Sequence, residues 1–407
     1  MFNKAPAYGV GLAYRNFFLS DILAQRDAID FLELPTAEYI ERSRRVLGDP
    51  SGAMLRAVRE ALPCVGHGIS LSIGSAEPVR EDILGETRRF LEENEIDDFS
   101  EHLAYHRMGD KDIAIFLCLP FNDSTAQLVA NNYNKAKEIL GRPFGLELVT
   151  YSFPVAGSEM TEVEFINRVS EYCDCWFLLD AANLFFNSTN HNYDLVEYLE
   201  QLNGDRVLHL HMAGGHLEDG VWVDSHSQPV PDEVFEVVDL ALQHTAAHAI
   251  TLERDDEPGA FGPIVEDLAR AREIFRRHRP AEAPAELVKN GLPKFATKSE
   301  PPSIRADRLP NDLTGLNAYQ TAVIDCAVDM AEGKHEGRSA DEVINSYDLP
   351  DEWRASLREM DWDHMIKLGN ATRGVMDWDR NVANYYRLEE MRQWAHQLGA
   401  HEFFKSR

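Results

Sequence analysis

The stretch HLHMAGGHLEDGVWVDSH, from His209 to His226, holds four histidines and three acids in eighteen residues. Imidazoles and carboxylates at that density either solvate a surface loop or bind a cation and move protons. Placement favours the second reading. The stretch continues the apolar run RVL, so His209 and His211 close a strand, and strand alternation puts both on one face. Gly214-Gly215 then lets the chain fold back, and Asp224-Ser225-His226 returns a carboxylate and an imidazole to the same cavity. Mixed imidazole and carboxylate ligation suits iron, manganese or zinc, and the shortage of nearby thiols argues against a structural zinc site. Asp180-Ala-Ala-Asn183 adds an acid and an amide, followed by Asn190-His191. By itself that spacing is equally an N-cap or an Asx-turn.

Such groups need a scaffold that brings them together. Eight short apolar runs follow one another along the first two thirds of the chain: 8–12, 30–34, 62–67, 97–102, 144–148, 176–180, 206–211 and 248–253. Stretches of helical period lie between most of them, at 79–94, 125–140, 162–173 and 231–244, and another at 263–278 follows the last. Strand-helix alternation repeated eight times predicts an α/β fold, a (β/α)₈ TIM-type barrel. A ninth apolar run, DIAIFLCL at 112–119, breaks the count and is placed as an excursion in the loop after the fourth strand. In this architecture chemistry collects at the carboxyl ends of the strands. Those ends carry Glu33, His67, the pair Glu101-His102, Glu147, Asp180, His211 and Glu253. Their number exceeds what one ion can use, which implies two or three metals.

Composition narrows the partners. The net charge of -29, from 69 acidic against 40 basic residues, repels phosphate backbones and anionic membrane faces, so no nucleic acid and no membrane partner is expected. No apolar run is long enough to span a bilayer and no signal-peptide pattern opens the sequence, which reads as cytoplasmic. The five cysteines are scattered, and Cys173 and Cys175 lack the two-residue gap of a zinc or redox pair; buried thiols are the expectation.

After residue 278 the character changes. Residues 281–315, rich in proline, lysine and serine, read as a linker or a strap on the barrel of residues 1–280. Helical pattern returns over 316–407 in NAYQTAVIDCAVDMAEG, PDEWRASLREM, DWDHMIKLGNATRGVMDW and VANYYRLEEMRQWAHQLG, predicting a small all-helical domain. Trp353, Trp362, Trp378 and Trp394 give it apolar surface to bury, so it is expected to pack over the barrel mouth as a substrate cover.

The motifs GVGLAYR, DFLELPTAEY, GHGISLSIG, SEHLAYH, LLDAANLFFNSTNH, HLHMAGGH, VDSHSQPVPDEVF and TLERDDEP, in this order over about residues 8–278, resemble the multinuclear non-haem iron-dependent oxidative enzymes, which include the methanobactin-biosynthesis oxidase. The resemblance implies a barrel holding two or three irons of mixed valence that activate dioxygen. It implies His67, His102, Glu147, Asn183, His211, Asp224, His226 and Glu253 as ligands. Asp180, His216 and Glu101 become candidate catalytic groups, and Glu33, His191 and Arg254 candidate substrate contacts. It further implies a substrate that is a ribosomally made peptide or an amino-acid-derived small molecule.

Three departures stand out: Leu148 follows Glu147 where the family has Asn, an added glycine gives HMAGGH, and Arg254 replaces an aromatic residue after the last-strand Glu. Arg254 suggests a different substrate contact, such as a carboxylate. The segment 349–374 bears a weaker likeness to the small alpha subunit of extradiol ring-opening dioxygenases, which covers the catalytic one. A fused cover would replace the separate peptide-presenting partner that family barrels commonly use. Two other classes stay open on the residues alone: a zinc- or manganese-dependent isomerase or hydrolase of the sugar-isomerase type, and a non-catalytic metal-binding partner protein.

Overall fold

In the computed structural model, which describes residues 9–45, 51–109, 111–151, 157–218, 220–255, 261–279, 313–359 and 362, all eight expected runs form strands. They are β1 (Val10–Ala13), β2 (Leu32–Pro35), β3 (Cys64–Gly68), β4 (Phe99–His102), β7 (Gly145–Glu147), β8 (Trp176–Asp180), β9 (Val207–Ala213) and β12 (Ala249–Glu253). Each pairs in parallel with its neighbours, and β12 closes on β1 to complete the barrel. The ninth run is not a barrel strand. It forms β6 (Lys111–Leu117), antiparallel to β5 (Tyr105–Met108), as a hairpin in the connection after β4. A second hairpin, β10 (His216–Glu218) with β11 (Val221–Val223), follows β9.

Helices cover the outside: α1 (Leu19–Ala24), α2 (Thr36–Arg45), α3 (Ser51–Ala61), α4 (Glu81–Glu93), α5 (Asp123–Leu140), α6 (Glu162–Tyr172), α7 (Ala181–His191), α8 (Leu195–Gln201), α9 (Asp232–His244) and α10 (Gly262–His278). Local chemistry sets several ends. The Asn122 side chain accepts from Thr125 N at the start of α5, and Gly141, in the left-handed region, ends it. Thr161 and Glu164 form a reciprocal capping box on α6.

Strand register sorts the barrel interior into layers. At the bottom, Phe31 packs with Val65 and Ala249, and Trp176 with Leu178 and Leu208. Here Gly145 faces the ring of Trp176, where a Cβ would come within 2.4 Å of the indole. Above them the pairings His67 with Ser100, His102 with Glu147, Asp180 with His211, and His211 with Thr251 set polar residues side by side. The interior is therefore apolar below and ionisable above. The thiols lie elsewhere: Cys173, Cys175 and Cys326 are buried, and burial pushes Cys64 up to about 12.

Beyond the barrel lie α11 (Leu313–Glu336), α12 (Ala340–Asn345) and α13 (Asp351–Glu359). α11 packs on the β5–β6 hairpin. Tyr319, Val323, Cys326 and Met330 are buried on it, and Tyr319 meets Trp353 edge-on at 5.4 Å. The two later helical segments expected from sequence, with Trp378 and Trp394, lie outside the described residues, of which only Trp362 continues past α13. Replacing Gly145 with Ala is expected to force the indole out of its place and to destabilise the barrel by about 1–3 kcal/mol, the usual penalty for overpacking. Thermal denaturation followed by far-UV circular dichroism checks this, and an unchanged midpoint would mean that Trp176 repacks freely.

Candidate metal centre

Glu147 stands at the centre of the upper layer. Its Oε2 lies 3.2 Å from His67 Nε2 and 3.4 Å from His102 Nε2, and its Oε1 lies 3.3 Å from His211 Nδ1. The imidazoles are aimed from behind. His67 Nδ1 is 2.8 Å from Ser100 Oγ, His102 Nδ1 is 3.0 Å from Gly68 O, and His211 Nε2 is 2.9 Å from Glu33 Oε2. In each ring one nitrogen is held by the scaffold and the other is turned inward, as in metal-ligating histidines. Glu253 Oε2 also approaches His211 Nδ1, at 3.1 Å.

The third side of the site comes from a loop. After β9 the chain crosses its own return path. A Cβ on Gly214 would lie 1.9 Å from Gln228 O, so glycine is needed here for close backbone approach. The β10–β11 hairpin is held down by Trp222, stacked on Phe186 at 5.1 Å, and by Asn190, whose amide pairs with Trp222 N and O. Asp224 and His226 follow directly, with Asp224 Oδ1 2.8 Å from His226 Nε2. His226 adopts a φ of 51°, a left-handed backbone uncommon outside glycine. Its Nδ1 is 3.0 Å from Asp255 Oδ2, and Asp255 is paired in turn with Arg15 at the end of β1.

Four ligand-type atoms of this cluster, Glu147 Oε2, Asp180 Oδ2, His211 Nδ1 and Asp224 Oδ1, are buried without a well-aligned hydrogen bond; all but Asp180 Oδ2 face another ligand-type atom of the cluster, as the distances above show. Orphaned polar atoms are costly in a folded interior. Here they converge, in three of the five groups among the described residues that place one ligand atom per residue within 4.8 Å: His67, His102 and Glu147; Glu147, Asp180, His211 and Glu253; Asp180, Asp224 and His226; the other two are Glu33, His209 and His211, and His226, Glu253 and Asp255. A divalent cation at each set would satisfy what the protein leaves open. The donor set is nitrogen and oxygen with no thiolate, which fits iron, manganese or a non-structural zinc.

Without metal the cluster holds protons instead. Burial, with Asp224, Glu147 and Glu253 around it, raises the Asp180 carboxyl well above the usual range. Burial would raise Glu147, but His211 and His102 outweigh it and hold that carboxyl well below. Burial would lower His211, yet Glu33, Glu253 and Glu147 raise it strongly. His102 likewise resists burial through Glu147 and Glu101 and rises to about 8.

Several expected site residues occupy other places. Glu101 follows Ser100 on β4 and points away from the cavity, its Oε2 accepting from Ser70 N and Leu71 N and its Oε1 from His102 N. Arg254 alternates with Glu253 to the outer face, where it forms a barrel-to-helix ion pair with Asp267 of α10 at 3.1 Å. Glu33 lies beneath His211, 2 % exposed, rather than facing a substrate.

Asp180 N-caps α7, its Oδ1 accepting from Ala182 N and Asn183 N, and leaves Oδ2 to the cluster. Asn183 Oδ1 accepts from Thr150 Oγ1 and its Nδ2 donates to Leu148 O, which ties it to the loop after β7. His191 stacks on Tyr151 and donates from Nε2 to Tyr151 O, and His216 is exposed beside Ser225. Neither belongs to a ligand set.

Two participants are additions. Asp255 sits two residues past Glu253, a spacing that strand alternation makes visible. His209, inward-facing on sequence grounds, lies 2.8 Å from Thr251 Oγ1 beside Glu33, and burial drops it to about 3, so it is neutral.

The fold and cluster together define a parallel barrel with a histidine and carboxylate cluster able to hold metal at the carboxyl ends of its strands. The model of the family described as RiPP precursor modification enzyme MbnB/TglH/ChrH matches residues 9–276, and the chain belongs to that family. This bears out the resemblance carried by the motifs. A UPF0276 protein of Alcanivorax borkumensis is 31% identical over 264 residues, which is 62% of this chain and 86% of that one. One of Shewanella loihica is 34% identical over 261 residues, 64% of this chain and 91% of its own. Among solved structures, a sugar phosphate isomerase/epimerase from Parabacteroides distasonis matches with a TM-score of 0.41 at 14% identity, over 66% of this chain and 95% of that one. The 3-keto-D-glucoside 4-epimerase YcjR from E. coli matches at 0.40 and 13%, over 65% and 99%.

Because the imidazoles must be neutral to ligate, a cation displaces protons. Affinity for Mn²⁺ is expected to weaken as pH falls through about 8, by about tenfold per pH unit for each proton displaced. Calorimetry in two buffers of different ionisation enthalpy reads this directly, and pH-independent binding would show that the imidazoles are already neutral. Gly214→Ala is expected to lose the ion held by Asp224 and His226 while the barrel stays folded, which metal analysis with circular dichroism checks.

Proposed function

We propose that this chain is a multinuclear non-haem iron enzyme that uses dioxygen to oxidise a ribosomally made peptide or an amino-acid-derived small molecule. The observation that carries the proposal is the convergence of buried imidazoles and carboxylates, four of whose ligand atoms lack a well-aligned hydrogen bond, on overlapping groups of potential ligands. His67, His102 and Glu147 would hold one ion; Glu147, Asp180, His211 and Glu253 a second; Asp180, Asp224 and His226 a third. Iron bound there supplies one-electron redox chemistry and a place for dioxygen to be reduced. Family membership supports the peptide substrate class.

The protein's own residues do the rest. Glu33 accepts from His211 Nε2 and keeps Nδ1 turned toward Glu147 and Glu253. Glu147 and Asp180, each shared between two sets, fix the sets relative to each other. Asp180 is fixed by its Oδ1 at the start of α7, which leaves its Oδ2 free to face the ions. His216, exposed on the β10–β11 hairpin directly before the Asp224 loop, is placed to meet a substrate arriving from solvent. Among the described residues no helix is long and apolar enough to cross a membrane.

Protein purified without oxygen is expected to carry more than one iron per chain, since an octahedral ion uses only about six ligand positions. Asp224→Ala and His226→Ala should each lose about one ion and abolish turnover while changing the unfolding midpoint little, because both lie on a loop. Metal analysis and oxygen-electrode measurements decide it. One zinc per chain with negligible iron would overturn the proposal, and near-normal activity in both variants would remove the loop from the site.

A further inference from the structure

The family match ends at residue 276, so the helices after the barrel lie outside it. Those helices nonetheless reach into the barrel's upper connections. Gln320 of α11 is fully buried. Its Oε1 accepts from Ala76 N at 2.6 Å and its Nε2 donates to Gly74 O at 2.8 Å, so the side chain pairs with the loop between β3 and α4 as a strand would.

That loop leaves the end of β3, which carries His67, and bonds to β4 and the connection after it, next to His102. Ser70 N and Leu71 N bond Glu101 Oε2, Gly74 N donates to Ala104 O, and His106 N donates to Ser72 Oγ. Ser72 sits at a φ of 51°, a conformation that a side-chain-bearing residue holds only when its surroundings fix it. Gly68, at the end of β3 where the loop begins, supplies the carbonyl that orients His102 Nδ1.

The second route runs through the hairpin. α11 packs on β5 and β6, with Lys111 Nζ 2.6 Å from Asp325. On β6, Phe116 stacks face to face on the His102 imidazole, with ring centroids 3.9 Å apart and planes 10° from parallel. His102 is thus held on one edge by the carbonyl that starts the loop and on one face by the hairpin, and α11 braces both.

We infer that the helical segment after the barrel is a working part of the metal centre: through Gln320 and the β5–β6 hairpin it positions His102 and His67 for the ion they share with Glu147. Gln320 is a positioning residue and touches no reacting atom. The inference rests on the ligand sets proposed above, and it makes this chain's centre dependent on residues that the matched region lacks.

The test uses the full chain, purified metal-free and titrated with Mn²⁺ by calorimetry, in wild type and in Gln320→Ala, His102→Ala and Asp224→Ala backgrounds. Gln320→Ala is expected to weaken one binding step about tenfold, the range found when groups that orient a ligand are removed. The same loss should persist in the Asp224→Ala background and vanish in the His102→Ala background, where that step is already gone.

A merely structural glutamine would lower the unfolding midpoint and leave every binding step intact, or weaken all of them alike; either result overturns the inference. Should Gln320→Ala not fold, Phe116→Leu removes the stacking without touching α11, and must show the same selective loss for the inference to stand. If His102→Ala itself loses no ion, the reading of the ligand set fails along with it. If His102→Ala loses the ion and Gln320→Ala does not, only the role of α11 fails.

Discussion

One carboxylate facing three imidazoles organises the upper half of this barrel. Glu147 approaches His67, His102 and His211 from the shortest barrel strand, and all four side chains are nearly or wholly cut off from water. A charge buried in that way is tolerable only with compensating charge close by. The surrounding strands are laid out to supply it. Each ring is anchored at its far nitrogen by a different barrel element: Ser100 on β4, Gly68 on β3 and Glu33 on β2. The apolar floor of Phe31, Val65, Trp176 and Leu178 closes the cavity from below, which makes the layer above it a dead end facing one mouth.

The strands were within reach of pattern reasoning because each is a short apolar run between turn signals, and the barrel followed from their alternation with helices. Which way consecutive end residues point was not. Glu101 and His102 end the same strand, as Glu253 and Arg254 straddle the end of another, and identity alone makes all four candidate site residues. Pairing register decides: His102 lies opposite Glu147 and so faces inward, which sends Glu101 outward. Glu253 lies opposite Ala213 in the inward series with Thr251, which sends Arg254 to α10.

Two helices between β2 and β3, and α7 after β8, were also hard to see. α7 opens on AANLFFNSTN, whose asparagines and threonine read as loop; Asp180 caps it and buried Asn183 and Asn187 anchor neighbouring backbone. The DxxN spacing is thus an N-cap, and the same aspartate still offers its second oxygen to the cluster. The two readings of that motif were never exclusive, because a carboxylate has two oxygens.

The three ligand sets differ in what carries them. His67, His102 and Glu147 rise from adjacent strands of a closed sheet, whereas Asp224 and His226 ride on a loop tethered by Trp222, Asn190 and the Arg15 to Asp255 contact. Donors on paired strands cannot move apart without breaking the sheet, whereas Asp224 and His226 are held in place by the loop's tethers alone. Under the function proposed above, the centre would therefore be graded in lability, with the ion on the loop the most exchangeable. Metal scarcity would then empty the loop position first and leave the strand-held ligands filled.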